Sequence, residues 1–561
     1  MKNGALFRCL TGISLLALPL AGFPLLQSRE LPPEMNAQVS GGGHPPQAFG
    51  ILFEVNSTGD GNDAVHGDGL CETAQGNDVC TLRAAIQEAN AQPTDDTIDF
   101  NIPTNDPGYN NGVWTINLGA VLPDLSTNLN ITGPGIDQLV VTRNSASSFR
   151  IFNVTAPNTV ILSGMTITNG YATNGSFPGN GGGINKTSAG TLNITNCTIS
   201  NNFGSAGGGI NNDSSGTINI TNSTLNGNSA FDGGGLRSNG GTVNLSGTTV
   251  NGNTANSSGG AISGSGHGAG ILVSAGTMNV TNSTLSGNLA RDVGGGGIYN
   301  GAGTVNLTNS TLSGNHANQD GGGIYNKSAL NLSNCTMTGN GAVIAGGIYN
   351  DNAGSATIKS SIIALNSSIT HNLNGIFITG GFNLIGTDDG GPSFPAGNPN
   401  ANNDIVGTNA SPIDPKLDPR GLQNNGGPTL TIALLPGSPA IDKGTSNGLT
   451  GALTTDGRGT GFVRTADYPS IPNATGGNGT DIGAIEFWTL KITSVTHLTN
   501  GHIVLQGVGV PSGAHTLYSS PDLSSGFTAP TPVTADATGA LTYDDAGAVG
   551  LTRRFYRLSF P

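Results

Sequence analysis

The middle of the chain repeats a pattern of apolar positions about every 26 residues. Each repeat begins with two or three glycines and an aliphatic residue, at 181–184, 207–210, 233–236, 295–298, 321–324 and 346–348. A second set of apolar positions follows, at Ile194, Ile220, Leu245, Val280, Leu307, Leu332 and Ile358. A third set lies at Ile199, Leu225, Val250, Leu285, Leu312, Met337 and Ile363. The pattern predicts three short strands per repeat.

Such strands are too short to bury their own apolar faces, so neighbouring repeats must stack into a continuous core. An all-β fold, the right-handed parallel β-helix, meets this requirement, with each coil rising by the ~4.8 Å between hydrogen-bonded strands. One interval is longer, because 35 residues separate Val250 from Leu285. The extra residues include His267, and we expect them to form an insertion on one face.

Asparagine recurs at fixed positions in the predicted turns. One set lies three residues after the third apolar position, at Asn202, Asn228, Asn253, Asn288, Asn315, Asn340 and Asn366. Two further sets are Asn196, Asn222, Asn282, Asn309 and Asn334, and Asn212, Asn300, Asn326 and Asn350. Stacked asparagines can hydrogen-bond along the axis as amide ladders, and they tolerate the left-handed backbone of tight turns. We therefore assign these residues a structural role, with the first set as a ladder.

Both ends of a stack of strands need a cover. Near the N-terminus, Leu82, Ala85, Ile86 and Ala89 recur at helical spacing, which predicts a short amphipathic helix over the first coil. After Trp488 the glycine pattern stops and alternating stretches such as HIVLQGVGV begin. These stretches predict a small antiparallel β-domain at the C-terminus.

Composition and charge narrow the classes of protein. The 561 residues include 91 glycines without a Gly-X-Y period, which excludes collagen. Only 10% of residues are charged, and the net charge is -14. A chain without clustered lysine and arginine is poorly suited to bind nucleic acid, because phosphate contacts need cationic side chains. We expect no nucleic-acid partner, and the oligomeric state stays open.

The first residues predict export. Lys2 and Arg8 precede an apolar run from Leu10 to Leu26, which is typical of a secretory signal peptide. The rest of the chain offers no apolar segment of the ~18 residues that a membrane span needs. We therefore expect a secreted or cell-surface protein without a transmembrane segment in its mature chain.

The cysteines fall into two pairs once Cys9 leaves with the signal peptide. Cys71 and Cys80 lie close together in a glycine-rich and aspartate-rich loop, and a disulfide is expected between them in an oxidising compartment. Cys197 and Cys335 fill the same repeat position five coils apart. Five coils amount to ~24 Å, which is beyond disulfide reach, so we expect both to be free and buried.

Two segments resemble known families. DGLCETAQGNDVCTLRAAIQEAN, followed by LPDLSTNLNITGPG, is similar to the CSLREA domain at the start of many exported bacterial β-helix proteins. Its signature reads CTLRAA here, with alanine in place of the glutamate. NNGGPTLTIALLPGSPAIDKG, TDGRGTGFVR and DIGAIEF, within residues 424–487, resemble the choice-of-anchor Q domain. The coils resemble polymorphic outer membrane protein repeats. These resemblances imply an exported β-helix protein and no defined reaction.

These signals divide the chain into six parts. They are a signal peptide at 1–28, a linker at 29–49, a CSLREA-like cap at 50–125, the β-helix at 126–385, a choice-of-anchor Q-like segment at 386–487 and a β-sandwich-like domain at 488–561.

The coils contain few residues that could carry catalysis. Asp232, Asp292 and Asp320 lie just before glycine runs, which places them on one face of the predicted β-helix. Together with Arg291, they are the candidate residues for cleavage of a polysaccharide, which needs acid and base groups. Aspartate also favours turns, which is the structural alternative.

Two further acidic clusters have structural alternatives of their own. Asp60, Asn62, Asp63 and Asp68 present the oxygen ligands that Ca²⁺ prefers, or else stabilise a solvated turn. Asp442, Asp456, Arg458, Arg464, Asp481 and Glu486 are expected to form internal salt bridges. No other cofactor is expected.

The sequence favours an adhesive or carbohydrate-binding protein without catalysis, because the coils are regular and hold few ionisable groups. The alternatives are a polysaccharide lyase or glycoside hydrolase acting in a groove of the β-helix, and a structural stalk. Tyr299, Tyr325 and Tyr349 fill matching positions. An exposed row of these tyrosines would favour stacking against sugars, whereas an inward row would only pack.

Overall fold

A computed structural model describes residues 50–559. The gaps are 93, 173–178, 257–265, 369–371, 388–392, 469, 489, 510–513, 522–526, 528 and 537–539. The predicted signal peptide and linker therefore lie outside the described residues. Within these bounds, every helix is too short or too polar to cross a lipid bilayer.

Equivalent strands of successive repeats pair in parallel, which confirms the predicted parallel β-helix. The first sheet contains Leu52–Val55, Asp96–Phe100, Leu129–Thr132, Phe152–Val154, Thr159–Ser163, Ile184–Lys186, Thr191–Thr195, Ile210–Asn212, Thr217–Thr221, Leu236–Ser246, Ile271–Thr281, Ile298–Asn300, Thr304–Thr308, Ile324–Asn326, Ala329–Ser333, Ile348–Asn350, Ser355–Lys359, Leu373–Asn374 and Ile378–Thr379. Its strands form two columns, which are joined where Leu236–Ser246 and Ile271–Thr281 run through both. The first column includes Ile184–Lys186, and the second includes Thr191–Thr195.

Two further sheets complete each coil. The second sheet contains Tyr109–Asn110, Val113–Leu118, Leu139–Arg143, Thr166–Thr168, Thr198–Ser200, Thr224–Asn226, Thr249–Asn251, Thr284–Ser286, Thr311–Ser313, Thr336–Thr338, Ile362–Ile363, Leu384–Ile385 and Ile405–Val406. The third contains Tyr171–Ala172, Phe203–Ala206, Ser229–Asp232, Thr254–Ala255, Leu289–Ala290 and His316–Ala317. Only the first pair of the second sheet is antiparallel among these sheets.

The apolar positions of the repeat fill one continuous core. Ile184, Ile210 and Leu236 pair in register from coil to coil and are fully buried. The long interval keeps this register, because Val250 pairs with Leu285. The predicted insertion therefore leaves the core undisturbed, although most of it, at 257–265, lies outside the described residues.

The first asparagine set forms the predicted amide ladder, which we call the inner ladder. Each amide nitrogen donates to the amide oxygen of the next coil over distances of 2.8–3.0 Å, from Asn202 to Asn366. The same oxygen also accepts the backbone N–H of the preceding ladder residue. Asn202, Asn228, Asn253, Asn288, Asn315 and Asn340 are at most 1% exposed. The ladder thus satisfies polar groups inside the core, where an unpaired group would be costly.

The other two asparagine sets also have structural roles. Asn196, Asn222, Asn282, Asn309 and Asn334 all have a left-handed backbone, with φ between 47° and 53°. In the third set, Asn300 donates to Asn326 and Asn326 to Asn350, each over 2.7 Å. The glycine runs serve the same geometry, since Gly207 and Gly233 have φ of 61° and 66°.

The N-terminal cover is the predicted helix, Leu82–Ala91. Thr81 caps it by accepting the backbone N–H of Ala84, and Leu82, Ala85, Ile86 and Ala89 are fully buried. The predicted disulfide joins Cys71 to Cys80. Cys197 and Cys335 are free and buried, as expected, and burial raises the pKa of the Cys197 thiol to about 11.

Residues 424–487, which we call the flank segment, pack along the side of the β-helix. The Asn309 side chain donates to the Thr455 carbonyl over 2.8 Å, and the Asn334 side chain to the Thr445 carbonyl over 3.1 Å. The Ala484 N–H donates to the Thr336 hydroxyl over 2.9 Å. The flank segment therefore covers the second sheet from Thr284–Ser286 onward. Its own strands are Asn447–Gly448 and Gly451–Ala452.

The C-terminal part forms two small antiparallel sheets, as the alternating pattern predicts. One contains Lys491–His497, Ile503–Val508 and Ala540–Asp545, and the other contains Ala529–Thr534, Ala514–Ser520 and Phe555–Ser559. A short 3₁₀ turn lies at Ala546–Ala548. Leu505, Leu517 and Leu541 are buried in this part.

Candidate functional site

The first column of the first sheet carries a continuous row of outward side chains, which we call the outer row. Where a coil contributes three residues to this column, the first and third face the core and the middle one faces outward. The middle residues pair in register from coil to coil. They are Asn153, Asn185, Asn211, Arg237, Leu272, Tyr299, Tyr325, Tyr349 and Asn374.

The N-terminal half of the outer row is a chain of hydrogen bonds. Asn211 donates to Asn185, Asn185 to Asn153 and Asn153 to Asp124, each over 2.9 Å. Arg237 continues the row by donating to the amide oxygen of Asn211 over 3.2 Å. Every amide thus has a fixed orientation, and Asn185 and Asn211 are buried, so most of this chain satisfies polar groups inside the protein and only its ends meet solvent.

Asp213 anchors the Arg237 end of this chain. Its carboxylate forms an ion pair with Arg237 at 3.0 Å and accepts hydrogen bonds from Asn239 and Asn211. Burial acts to raise the pKa of Asp213, but these hydrogen bonds and the Arg237 charge outweigh it, and the pKa is lowered. The carboxylate therefore stays charged in neutral solution.

A cavity of about 270 Å³ opens at the other end of the chain. Asp124, Phe149, Arg150 and Asn153 line it, and Arg150 donates to the Asn153 amide oxygen over 3.0 Å. Burial lowers the pKa of Arg150, and the charge of Asp124 opposes this shift. The cavity thus combines a cation, an anion, an amide and an aromatic ring.

Aromatic side chains flank this cavity on the third sheet. Tyr171 is 40% exposed, and its ring stacks on Phe203 with 4.9 Å between the centroids. Phe231 meets Phe203 edge-on at 5.9 Å. The Arg143 guanidinium lies 5.5 Å from the Tyr171 ring centre and 5.9 Å from that of Phe149. An exposed aromatic and cationic surface therefore adjoins the polar cavity.

The C-terminal half of the outer row is aromatic. It contains the three tyrosines whose exposure the sequence left open. Tyr299, Tyr325 and Tyr349 face outward and stack at 4.8 and 4.9 Å. Tyr299 and Tyr325 are only 6% and 7% exposed, because Leu272 and Val293 pack against the stack. The ring faces are used by neighbouring rings, so this half of the outer row packs and offers no platform for a sugar.

An aspartate and a histidine pair lies beside the midpoint of the outer row. One carboxylate oxygen of Asp232 lies 3.0 Å from Nδ1 of His267 and accepts the backbone N–H groups of Gly266 and His267. The His267 ring meets Tyr299 edge-on at 4.3 Å. Burial acts to raise the pKa of Asp232, but the hydrogen bonds from His267 outweigh it and lower the pKa. This arrangement fixes the ring orientation of His267.

The other candidate catalytic residues do not all join this pair. Asp292 lies against Gly266, because a Cβ atom added to Gly266 would lie 2.8 Å from the Cβ atom of Asp292. Equivalent positions in four successive coils are occupied by Asp232, His267, Gly294 and Asp320. That places Asp320 three coils from Asp232, or ~14 Å at the strand spacing. The Arg291 side chain is exposed. Asp232 and Asp320 are therefore too far apart to act on one bond, although they lie on the same face of the β-helix.

The proposed Ca²⁺ ligands are engaged by their own loop and by the helix Leu82–Ala91. Their partners are Arg83 for Asp60, Gln87 for Asn62, Val65 and Glu72 for Asp63, and Leu70 for Asp68. Across the described residues, no group of three or more His, Cys, Asp or Glu side chains is arranged to hold a metal ion. Each of the four side chains therefore has a partner within the protein, and calcium binding stays a prediction from the sequence.

Four residues of the acidic and basic cluster of the flank segment form two internal salt bridges, whereas Asp442 and Asp481 accept backbone N–H groups instead. Arg458 pairs with Asp456 at 2.5 Å, and Arg464 lies 3.4 Å from Glu486. All four side chains are at most 5% exposed. We call these residues, together with Asp442 and Asp481, the charged network. Its burial makes it a structural element of the flank segment.

Sequence reasoning missed the residues that line the cavity. Asp124, Phe149 and Arg150 lie before the first glycine run, in coils whose sequence does not show the repeat. Asn185 and Asn211 of the outer row are the second residues of Ile-Asn-Lys at 184–186 and Ile-Asn-Asn at 210–212, and the alternation of side chains along a strand would have placed them outward. Comparison with known proteins finds no family whose model matches the chain and no curated protein that matches it.

Proposed function

We propose that this is an exported, secreted or cell-surface β-helix protein that binds carbohydrate without cleaving it. The observation that carries the proposal is the cavity beside Asn153, with Asp124, Arg150 and Phe149 in its wall and Tyr171 at its side. The resemblance to CSLREA and choice-of-anchor Q domains supports the extracellular address. An adhesive role would follow from binding a glycan on a neighbouring surface.

The chemistry of the cavity suits a sugar. A sugar ring presents hydroxyl groups that need oriented donors and acceptors, and a face of C–H groups that packs on aromatic rings. Asp124, Arg150 and Asn153 hold one another in fixed orientations, while Tyr171 leaves 40% of its surface exposed. A neutral polysaccharide is favoured, because a net charge of -14 repels an anionic polymer.

A glycan array with the secreted full-length chain tests the proposal. We expect retention of at least one neutral glycan and a loss of about tenfold or more in affinity for Tyr171→Ala and for Arg150→Gln. Tyr543→Ala, in the C-terminal part, is the matched control and should bind normally. Absence of retention on every glycan, or equal loss in the control, would refute carbohydrate binding and leave the structural stalk as the explanation.

The Asp232 and His267 pair supports a second candidate, a polysaccharide lyase or glycoside hydrolase. A histidine oriented by a carboxylate can serve as a general base. This candidate predicts product release from a polysaccharide panel that is abolished in Asp232→Asn and retained in Asp320→Ala, because Asp320 lies three coils away. Inactivity of the unsubstituted chain on the whole panel would exclude it.

A further inference from the structure

Lys186 is a buried lysine in the first column of the first sheet. It is the third residue of Ile184–Lys186, so its side chain enters the interior of the β-helix, and it is 0% exposed. The equivalent position holds Val154 in the coil before and Asn212 in the coil after. Three later coils hold asparagine there, and those amides bond to one another. Lys186 therefore places an amine in a column of positions that are otherwise neutral.

Within the described part of the chain, the amine of Lys186 has only neutral partners. Its Nζ donates to the carbonyl of Ser188 and, over 3.0 Å, to the hydroxyl of Ser214. The nearest acidic residue in the sequence is Asp213, which pairs with Arg237 on the outer surface. Burial lowers the pKa of Lys186 to about 8. A buried cation without a counter-ion is costly, so part of the amine is neutral, and a neutral amine is a nucleophile.

Ser214 connects this amine to the side-chain amide of Asn212. Its hydroxyl accepts a hydrogen bond from Nζ of Lys186 and donates to Oδ1 of Asn212 over 2.8 Å. Nδ2 of Asn212 donates to the Gly240 carbonyl over 2.9 Å. The amide is therefore polarised through its oxygen and held in place through its nitrogen.

The strand pairing brings the two side chains within reach of each other. Lys186 and Asn212 are paired residues of neighbouring strands, so their backbones lie ~4.8 Å apart. The lysine side chain is long and unbranched, and rotation about its last bonds carries Nζ from the Ser214 hydroxyl to Cγ of Asn212.

We propose that Lys186 and Asn212 form an isopeptide bond. Nζ attacks Cγ of Asn212, and the new C–N bond replaces the bond between Cγ and Nδ2. The Ser214 hydroxyl takes a proton from Nζ and gives one to the departing nitrogen, which leaves as ammonia. One amide is exchanged for another, so the atoms balance without an oxidant or a second substrate.

The product removes the cost of burying the free amine. A secondary amide is neutral and has one donor and one acceptor, which suits it to the same surroundings as the neighbouring asparagines. The bond joins two coils that lie before Asn282, the first residue that receives a hydrogen bond from the flank segment among the described residues. A covalent link between coils restricts the unfolded chain and thereby stabilises the fold.

Trypsin reports this bond directly, because it does not cleave after an acylated lysine. Arg150, Lys186 and Arg237 are successive tryptic sites, so an unlinked chain yields the peptides 151–186 and 187–237. A linked chain yields one peptide, 151–237, with a mass about 17 Da below that of its sequence, which is the mass of ammonia. The secreted full-length chain is unfolded, reduced and digested, and its peptides are identified by mass spectrometry.

We expect the linked peptide in the unsubstituted chain and in the matched control Asn219→Ala, which removes an amide from the second column of the same coil. Asn212→Ala should yield only the two shorter peptides, because the acyl group is gone. Ser214→Ala should lower the linked fraction by about tenfold or more at a fixed time after synthesis, because the proton relay is lost.

Complete cleavage after Lys186 in the unsubstituted chain overturns the inference, and this result does not depend on the folding of any variant. Loss of ammonia from a peptide that is still cut after Lys186 also overturns it, because it marks an asparagine that has cyclised onto its own backbone. Persistence of the linked peptide in Asn212→Ala assigns the bond to another acyl group and equally overturns it. None of these outcomes bears on carbohydrate binding at the cavity beside Arg150.

Discussion

The inner ladder and the charged network both bury polar side chains, but they satisfy them in different ways. Each amide of the inner ladder both donates and accepts, so one residue type repeated in every coil leaves no group unpaired. The charged network needs unlike partners in one arrangement, and burial raises the pKa of Glu486 and Asp481. The neutral ladder can therefore be repeated in every coil and does not titrate. The buried ionic cluster requires one particular set of partners, and its contribution to stability depends on pH.

The largest effect is expected from removing one partner of the charged network. Arg464→Leu leaves Glu486 buried without its cation and frees the carbonyl groups of Ala484 and Asp481 that Arg464 binds. Loss of one partner of a buried pair costs about 3–5 kcal/mol of unfolding free energy. Urea unfolding measures it. Arg420→Leu, which removes an exposed partner of Asp418, is the control and should change the unfolding free energy far less, because solvent screens an exposed pair. Equal costs would contradict the comparison.

A single gap in the inner ladder should have the next largest effect. Asn288→Ala removes the amide oxygen to which Asn253 donates and the amide nitrogen that donates to Asn315 and to the carbonyl of Val250. Unpaired buried groups cost about 1–3 kcal/mol each, so we expect a loss of roughly 3 kcal/mol. Asn279→Ala opens a gap in a second, half-exposed ladder that runs from Asn193 to Asn306 along the second column of the first sheet. Water can replace the amide there, so the loss should be about 1 kcal/mol or less. The same unfolding assay would reject the distinction if the two costs were equal.

The smallest expected difference between the inner ladder and the charged network is in how their contributions to stability depend on pH. Burial raises the pKa of Asp481 to about 7 and that of Asp442 to about 6, from an ordinary value of 3.8. Between pH 3.8 and about 7 these two side chains therefore hold more protons in the folded chain than in the unfolded chain. The contribution of these two groups to stability is therefore greatest at low pH and falls as the pH rises through this window.

The measurement is urea unfolding followed by tryptophan fluorescence in a Trp114→Phe background, where the signal comes from Trp488, which lines a cavity with Arg458 and Phe487. We expect the urea midpoint to fall between pH 4.5 and 7.5 in the unsubstituted chain, and to fall less in Asp481→Asn. Asn288→Ala should keep the same slope with pH, because its amide does not titrate. A midpoint that rises over this range, or an unchanged slope in Asp481→Asn, would show that other groups dominate.

The periodic parts of the fold could be predicted from the sequence, and the rest could not. The inner ladder follows from one asparagine per coil, and the free state of Cys197 and Cys335 follows from their register. The position of the flank segment does not, because the contact of Asn309 with Thr455 joins residues 146 apart in segments with no common pattern. The partnership of Asp232 with His267 depends on an insertion that breaks the period. Burial of Tyr299 depends on Val293, which lies outside the repeat pattern.

The position of the flank segment also bears on how the protein can change over evolution. Identical coils can be gained or lost by recombination between repeats of the gene, since each rung offers the same contacts to the rung before and after it. Such a change is harmless only where no distant part of the chain has to meet a particular rung. From Asn282 to Ser360 the rungs are matched to the flank segment one by one. Variation in length among descendants of this gene should therefore be concentrated in the rungs before Asn282.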